Sequence, residues 1–228
     1  YDYSPEGQQH KRERDLRILE KDIADRPEHP FVLFNIGMTA FHLKEFEKAE
    51  KALKRCLSLS KPHESTVRKV YAMLTGSRLE QGDRQGAREW LEKGLSLTPN
   101  DPELLFRAGV IYRECGDLQA SERSYLQLLT ARETGHIDSI DVSITTFKAH
   151  HNLALVYMDM GRQGEAERHW QEALRHAPQF TPSWLGLGEL YLQSRRFEDV
   201  AQIVQRLGTM DKGMANYLRQ QLVTAQSN

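Results

Sequence analysis

Gly82-Asp83, Gly116-Asp117 and Gly161-Arg162 each separate two stretches of helical apolar periodicity, and Gly82 and Gly116 lie 34 residues apart. The next interval, Gly116 to Gly161, is 45 residues, the same step plus an insertion of 11. A recurrence of this length constrains the fold more than any single residue. It is the length of one helix-turn-helix unit, which can bury its apolar face only against copies of itself. With the glycine as position 15, positions 4, 7, 8 and 11 read Leu33, Ile36, Gly37 and Ala40 in the first unit, then Tyr71, Leu74, Thr75 and Arg78. The third unit has Leu105, Ala108, Gly109 and Tyr112, the fourth His150, Leu153, Ala154 and Tyr157, and the fifth Trp184, Leu187, Gly188 and Tyr191. Position 20 holds Ala49, Ala87, Ser121, Ala166 and Val200; position 24 holds Leu53, Leu91, Tyr125, Trp170 and Val204. Spacings of three and four put each set on one helical face. Small residues at 8 and 20 let paired helices approach, and large ones at 4, 7, 11 and 24 fill the space between them.

Local signals punctuate the units. Pro99 and Pro178 fall at position 32, where a helix stops, and Asp101-Pro102-Glu103 and Thr181-Pro182 read as an N-cap followed by proline in the first turn. Pro27 also falls at position 32, so the stripe Leu16, Leu19 and Ile23, beginning near Ser4-Pro5-Glu6, reads as a second helix whose partner is missing. Met214, Tyr217, Leu218 and Leu222 form a final stripe that can cap the stack. The expected organisation is a helix over 1–29, repeats over 30–63, 64–101 and 102–135, a loop over 136–146, repeats over 147–180 and 181–212, and a capping helix over 213–228. Tyr1 in place of Met is what a fragment would show.

Composition excludes several classes. A formal charge of -1 over 228 residues argues against a nucleic-acid partner, which calls for a basic stripe. The mixed run Lys11-Arg12-Glu13-Arg14-Asp15 reads as a solvated helix face. No apolar run approaches the ~20 residues of a membrane span. Cys56 and Cys115 lie in different repeats without metal spacing, so two free thiols in a reducing, cytoplasmic setting are expected.

No catalytic set stands out. Neighbouring His150 and His151 diverge by about 100° on a helix and cannot easily face one ion. Asp138 and Asp141 lack a histidine pair beside them, and the glycines are turn and contact residues, not a phosphate cradle. The expectation is a non-enzymatic segment with no catalytic residue, no metal and no cofactor.

Trp184-x2-Leu187-Gly188-x2-Tyr191, together with the 34-residue step, resembles the tetratricopeptide repeat. The resemblance implies an all-α, right-handed superhelical solenoid of about five helix-turn-helix repeats with helical ends. It also implies a concave groove lined by first-helix positions 2, 5, 6, 9, 12 and 13. In this chain those positions include Phe31, Phe34, Asn35, Met38 and Phe41, then Lys69 and Met73. Further along they include Phe106, Arg107, Val110 and Arg113, then Lys148, His151, Asn152, Leu155 and Met158. Apolar anchors flanked by Arg and Lys suit an extended peptide or a docked domain. Carboxylate-clamp repeats place Lys at position 5 and Asn at position 9, where the first repeat has Phe34 and Met38, so that specificity is not expected. The superhelix of O-linked N-acetylglucosamine transferase carries asparagines at position 6; Asn35 and Asn152 match, but Met73, Arg107 and Gly186 break the ladder. The insertion from Glu133 to Thr145 departs from the rhythm, and Ile137, Ile140, Val142 and Ile144 suggest that it packs as a clasp.

The stretches Lys11–Glu20 and Pro30–Gly37, with Thr130–His136 and Phe147–Asn152, resemble the repeat region of bacterial family-2 glycosyltransferases. That resemblance implies a nucleotide-sugar-dependent catalytic domain before the repeats, against which they dock or position an acceptor. The family's Asp-x-Asp and catalytic base belong to that other domain, and no residue here matches them. The reading at this stage is a non-catalytic scaffold holding a peptide or protein on its concave face, or the repeat region of such a transferase acting in cis.

Overall fold

The computed structural model describes residues 4–133 and 141–227. Among them every regular element is helical. They are α1 (Pro5–Asp25), α2 (Pro30–His42), α3 (Phe46–Leu59), α4 (Ser65–Glu80), α5 (Arg84–Leu97), α6 (Pro102–Glu114), α7 (Leu118–Glu133), α8 (Phe147–Asp159), α9 (Gln163–His176), α10 (Thr181–Gln193), α11 (Phe197–Met210) and α12 (Lys212–Ser227). One 3₁₀ turn, Val142–Thr145, precedes α8. The chain divides into two compact units, Tyr1–Arg107 and Ala108–Asn228, with the division inside α6.

The turns explain how the helices pair. Lys44, Gly82, Gly116, Gly161 and Arg195 occupy the same repeat position, and all have left-handed φ angles of 61°, 75°, 79°, 73° and 55°. At each turn the amide of the following residue reaches back five residues, as in Glu45 N to Ala40 O (2.9 Å) and Arg196 N to Tyr191 O (2.8 Å). This left-handed closure satisfies the last helical carbonyls and reverses the chain in a few residues. Glycine provides the conformation without strain at three turns, and Lys44 and Arg195 adopt it against their Cβ.

Side-chain caps start many of the helices. Ser4 accepts from Gly7 N (3.0 Å), Asp83 from Gly86 N (2.9 Å), Asp101 from Leu104 N (2.9 Å), Asp117 from Ala120 N (3.0 Å) and Asp211 from Met214 N (3.0 Å). The restart at Thr181-Pro182 differs from the sequence expectation. Phe180 is the N-cap and Thr181 the first helical residue, so no side chain caps α10.

In the first unit α1 packs on α2, α2 on α3, α3 on α4 and α4 on α5. Leu16 of α1 is buried with Val32, Ile36 and Ala52, so α1 fills the place of a preceding second helix. Leu33, Phe34, Leu53, Cys56, Val70 and Leu74 form the adjoining core. In the second unit α8 packs on α7 and α9, and α10 on α9, α11 and α12. Position 20 is fully buried in every pair: Ala49, Ala87, Ser121, Ala166 and Val200. The close approach needs small partners. A Cβ on Gly109 would lie 2.3 Å from the Tyr125 ring, one on Gly186 would meet Trp170, and one on Gly188 would meet Leu218 of α12.

Within the insertion, His136, Ile137, Asp138 and Ile140 lie outside the described residues. Beyond them Val142 is 62% exposed, so it does not pack as the clasp reading expected, while Thr145 and Thr146 are buried. Asp141 accepts from Ser143 N at 2.9 Å, and the 3₁₀ turn rests against α7 and α8.

Candidate functional site

The first helices of the pairs present two separately built faces. In the first unit Phe31 stands 61% exposed at the start of α2, and Phe34, three residues on, is buried at 8% among Leu33, Leu53 and Val70. Phe34 is therefore a core side chain. Asn35 donates its amide to Phe31 O at 2.9 Å, and Met38 and Met73 are half-buried on the same core. Lys69 is exposed on α4. Gly76 opens a seat between Phe41 and Arg107: a Cβ there would lie 2.9 Å from Arg107 Nη1 and 3.3 Å from Phe41 Cζ. Arg107 donates from Nη2 to Glu103 at 2.9 Å, and its Nε is buried without a hydrogen-bond partner. Phe106 is half-buried beside it.

In the second unit Val110 and Leu155 are half-buried apolar positions on α6 and α8. The charged groups of this face are already engaged. Arg113 Nε donates to Asp159 at 2.6 Å, and Lys148 Nζ to Asp141 at 3.3 Å. Asn152 bonds the Tyr125 side chain, whose hydroxyl pKa is raised by burial. His151 Nδ1 meets Ser183 Oγ at 3.1 Å, and its ring meets Phe180 edge-on with centroids 5.3 Å apart. Burial, helped by the nearby Arg113 charge, pushes the His151 pKa down to about 4, so it is neutral near pH 7. Arg107, Arg113 and Lys148, expected to offer donors to a ligand carboxylate, thus hold acids of their own. These pairs are partly exposed and individually weak, so an incoming carboxylate can exchange with them.

His150 and His151 go to different neighbours. His150 Nδ1 lies 2.9 Å from His169 Nδ1, with the rings stacked, and the His176 ring also stacks on His150 at 5.9 Å. Tyr157 stacks on His169 at 5.3 Å and carries the Arg162 guanidinium 4.5 Å from its centroid. Burial, then Arg168, lowers the His169 pKa. Parallel rings do not converge their lone pairs on one point. Among the described residues no group of three His, Cys, Asp or Glu side chains is arranged to hold a metal.

Sequence reasoning missed a recurring joint between successive repeats. Glu50, Glu122 and Glu167 share position 21, and each binds an arginine of the next repeat: Arg78 at 2.6 Å, Arg162 at 2.7 Å and Arg196 at 2.9 Å. In the last joint Tyr191 also donates to Glu167 at 2.8 Å, and Arg196 lies 3.8 Å over the Tyr191 ring. The Tyr157 hydroxyl bonds Glu122 likewise; burial, then that carboxylate, pushes its pKa up to about 12. The signal was legible in the aligned register, where position 21 is acidic three times.

Models of the tetratricopeptide repeat match residues 32–63, 104–135 and 147–180. Among curated proteins, the BBSome complex member BBS4 of Bos taurus is 30% identical over 105 residues, covering 46% of this chain and 19% of its own length. Anaphase-promoting complex subunit 3 of Schizosaccharomyces pombe is 20% identical over 234 residues, covering 90% of this chain and 34% of its own length. The chain thus spans about a third or less of these relatives. Of solved structures, the APC/C hetero-tetramer Cut9-Hcn1 superposes with a TM-score of 0.75 at 16% identity, over 93% of this chain and 40% of that one. BtubC from P. vanneervenii gives 0.72 at 15% identity over 93% of both chains. YrrB, described as a tetratricopeptide-repeat protein with an unusual peptide-binding site, gives 0.64 at 15%, over 89% of this chain and 97% of that one.

Proposed function

We propose that this tetratricopeptide-repeat protein is a non-catalytic interaction scaffold that holds a peptide or protein segment on its first-helix faces. The observation that carries the reading is the character of those faces. Exposed Phe31 on α2 and half-buried Phe106, Val110 and Leu155 on α6 and α8 offer apolar anchors, and Arg107, Arg113 and Lys148, carried by α6 and α8 too, are in exchangeable ion pairs. Buried apolar anchors supply affinity, and charge-assisted bonds set orientation. Relatives whose names place them in the BBSome and the anaphase-promoting complex suit a scaffold role.

Two free cysteines, Cys56 buried and Cys115 exposed, fit a reducing cytoplasmic setting, which is part of the proposal. No helix among the described residues is long and apolar enough to cross a membrane. Docking on a glycosyltransferase catalytic domain in cis rests on the sequence resemblance alone.

The test is site-specific photocrosslinking in cells. A crosslinker at Val110 or Leu155 is expected to capture a discrete partner that one at Glu89, exposed on the second helix α5, does not. Leu155→Asp should abolish capture from position 110. Identical background at all three positions would refute the reading.

A further inference from the structure

The second helices α9 and α11 flank α10 in the second unit and leave a groove of about 840 Å³ between them. Its volume lies within the ~300–1,000 Å³ of typical ligand sites. Leu187 and Ile203 are buried on its apolar side, and Trp184 stands half-buried beside them. The Trp184 indole N–H is satisfied by Pro178 O at 2.9 Å, which leaves its ring as a surface; Arg206 sits over that ring at 4.5 Å.

The groove's charges are lopsided. Asp199, its carboxylate, is held by Arg196 at 2.7 Å. Arg206 has no ion pair among the described residues, and Arg175 pairs with Glu172 at 3.0 Å with its side chain 75% exposed, a contact worth little in water. Arg196 is shared with Glu167, so Asp199 keeps part of its charge, and the groove presents an apolar floor with two arginines from two helices against one carboxylate. Gln202 and Gln205 also line it, and amides of this kind both donate and accept, as a bound main chain requires.

We propose that this groove is a second binding site, distinct from the first-helix faces, for a short acidic peptide segment bearing one apolar or aromatic side chain. The side chain packs on Trp184, Leu187 and Ile203, and flanking carboxylates pair with Arg175 and Arg206. The occupant is a peptide and not a nucleotide because the donors come with amides suited to a main chain.

The probes are fluorescein-labelled acidic hexapeptides, Asp/Glu throughout with Leu, Met, Phe or Trp at the third position. Lysine-flanked versions and ATP serve as controls, and anisotropy is read together with intrinsic tryptophan emission. Expected is saturable binding of at least one acidic peptide that perturbs tryptophan emission and weakens at least about tenfold in Arg206→Glu and in Arg175→Glu. Leu155→Asp, on the first-helix face, leaves it unchanged. These substituted residues are on the surface or at a half-buried edge, and circular dichroism melts confirm that the variants fold. No saturable binding by any acidic peptide, equal binding of the lysine-flanked series, binding of ATP alone, or affinity unaltered by both arginine reversals would each overturn the proposal. Loss of binding in Leu155→Asp but not in Arg206→Glu would overturn it while supporting the first-helix reading, so the two fail separately.

Discussion

His151 carries the clearest pH signature at the scale of single residues. Its folded pKa of about 4 lies below the ordinary 6.5, with burial the first cause and Arg113 the second. As pH falls below about 6.5, the unfolded chain takes up a proton that the folded chain refuses until about pH 4. Stability is therefore full above pH 6.5 and drops across that window, by roughly 3 kcal/mol for this group. His169, lowered in the same direction, adds to the slope. Urea unfolding from pH 7 to 4.5 should show a shallower loss in His151→Gln than in the parent. Steric limits act at the same scale. Because a Cβ on Gly109 collides with Tyr125, which is 1% exposed, Gly109→Ala should cost about 1–3 kcal/mol in denaturant unfolding. The need for a small residue at position 8 was legible in the sequence. That Gly186, outside that position, must also stay small was not, because Trp170 reaches it from the preceding repeat.

At the level of helices, the turn and the joint are the recurring devices, and each makes a graded prediction. Lys44 and Arg195 adopt left-handed φ angles that glycine adopts freely. Lys44→Gly and Arg195→Gly should each raise stability by up to about 1 kcal/mol, read as a higher melting temperature, the gain being offset in part by glycine's unfolded-state entropy. Burial ranks the joints. The Glu50 side chain is 7% exposed and receives Arg78, Lys54 at 2.7 Å and Gln81 at 3.1 Å, whereas Glu167 is 25% exposed and its partner Arg196 43%. Glu50→Ala removes the buried acceptor shared by Arg78, Lys54 and Gln81, leaving Arg78 only Asp83 at 3.1 Å, and should cost about 1–3 kcal/mol, against at most about 1 kcal/mol for Glu167→Ala. Equal losses in chemical unfolding would show that burial does not set the strength of the joint. The helical stripes themselves were readable because their spacing is local. The capping of α10 was not, since Phe180 takes the place that the Thr181-Pro182 pattern suggested.

At the scale of the whole molecule, helical repeats bury their apolar faces on their neighbours. In the second unit α12 packs on α10 and α11: Ala215 and Leu218 are buried, with Leu218 set on Gly188. Removing residues 212–228 should uncover the surfaces of α10 and α11 on which α12 packs, Gly188 among them. The melting temperature is expected to fall and light scattering to report association, while an unchanged melting temperature and scattering would show that α12 is dispensable. The 34-residue step and its 3.6-residue subperiods by themselves determined an all-α chain of paired helices, because a periodic apolar pattern specifies which face each helix must bury. Only the tertiary structure decided what remained available for a partner. Phe34 and Phe31 look equivalent in sequence, yet neighbouring helices bury one and leave the other in solvent. Arg113 meets Asp159 from 46 residues away, and Trp184, a packing residue by motif, becomes the wall of a groove once α9 and α11 stand on either side of it. Periodicity is a property of one helix at a time, whereas exposure and ion pairing depend on side chains brought together across the fold.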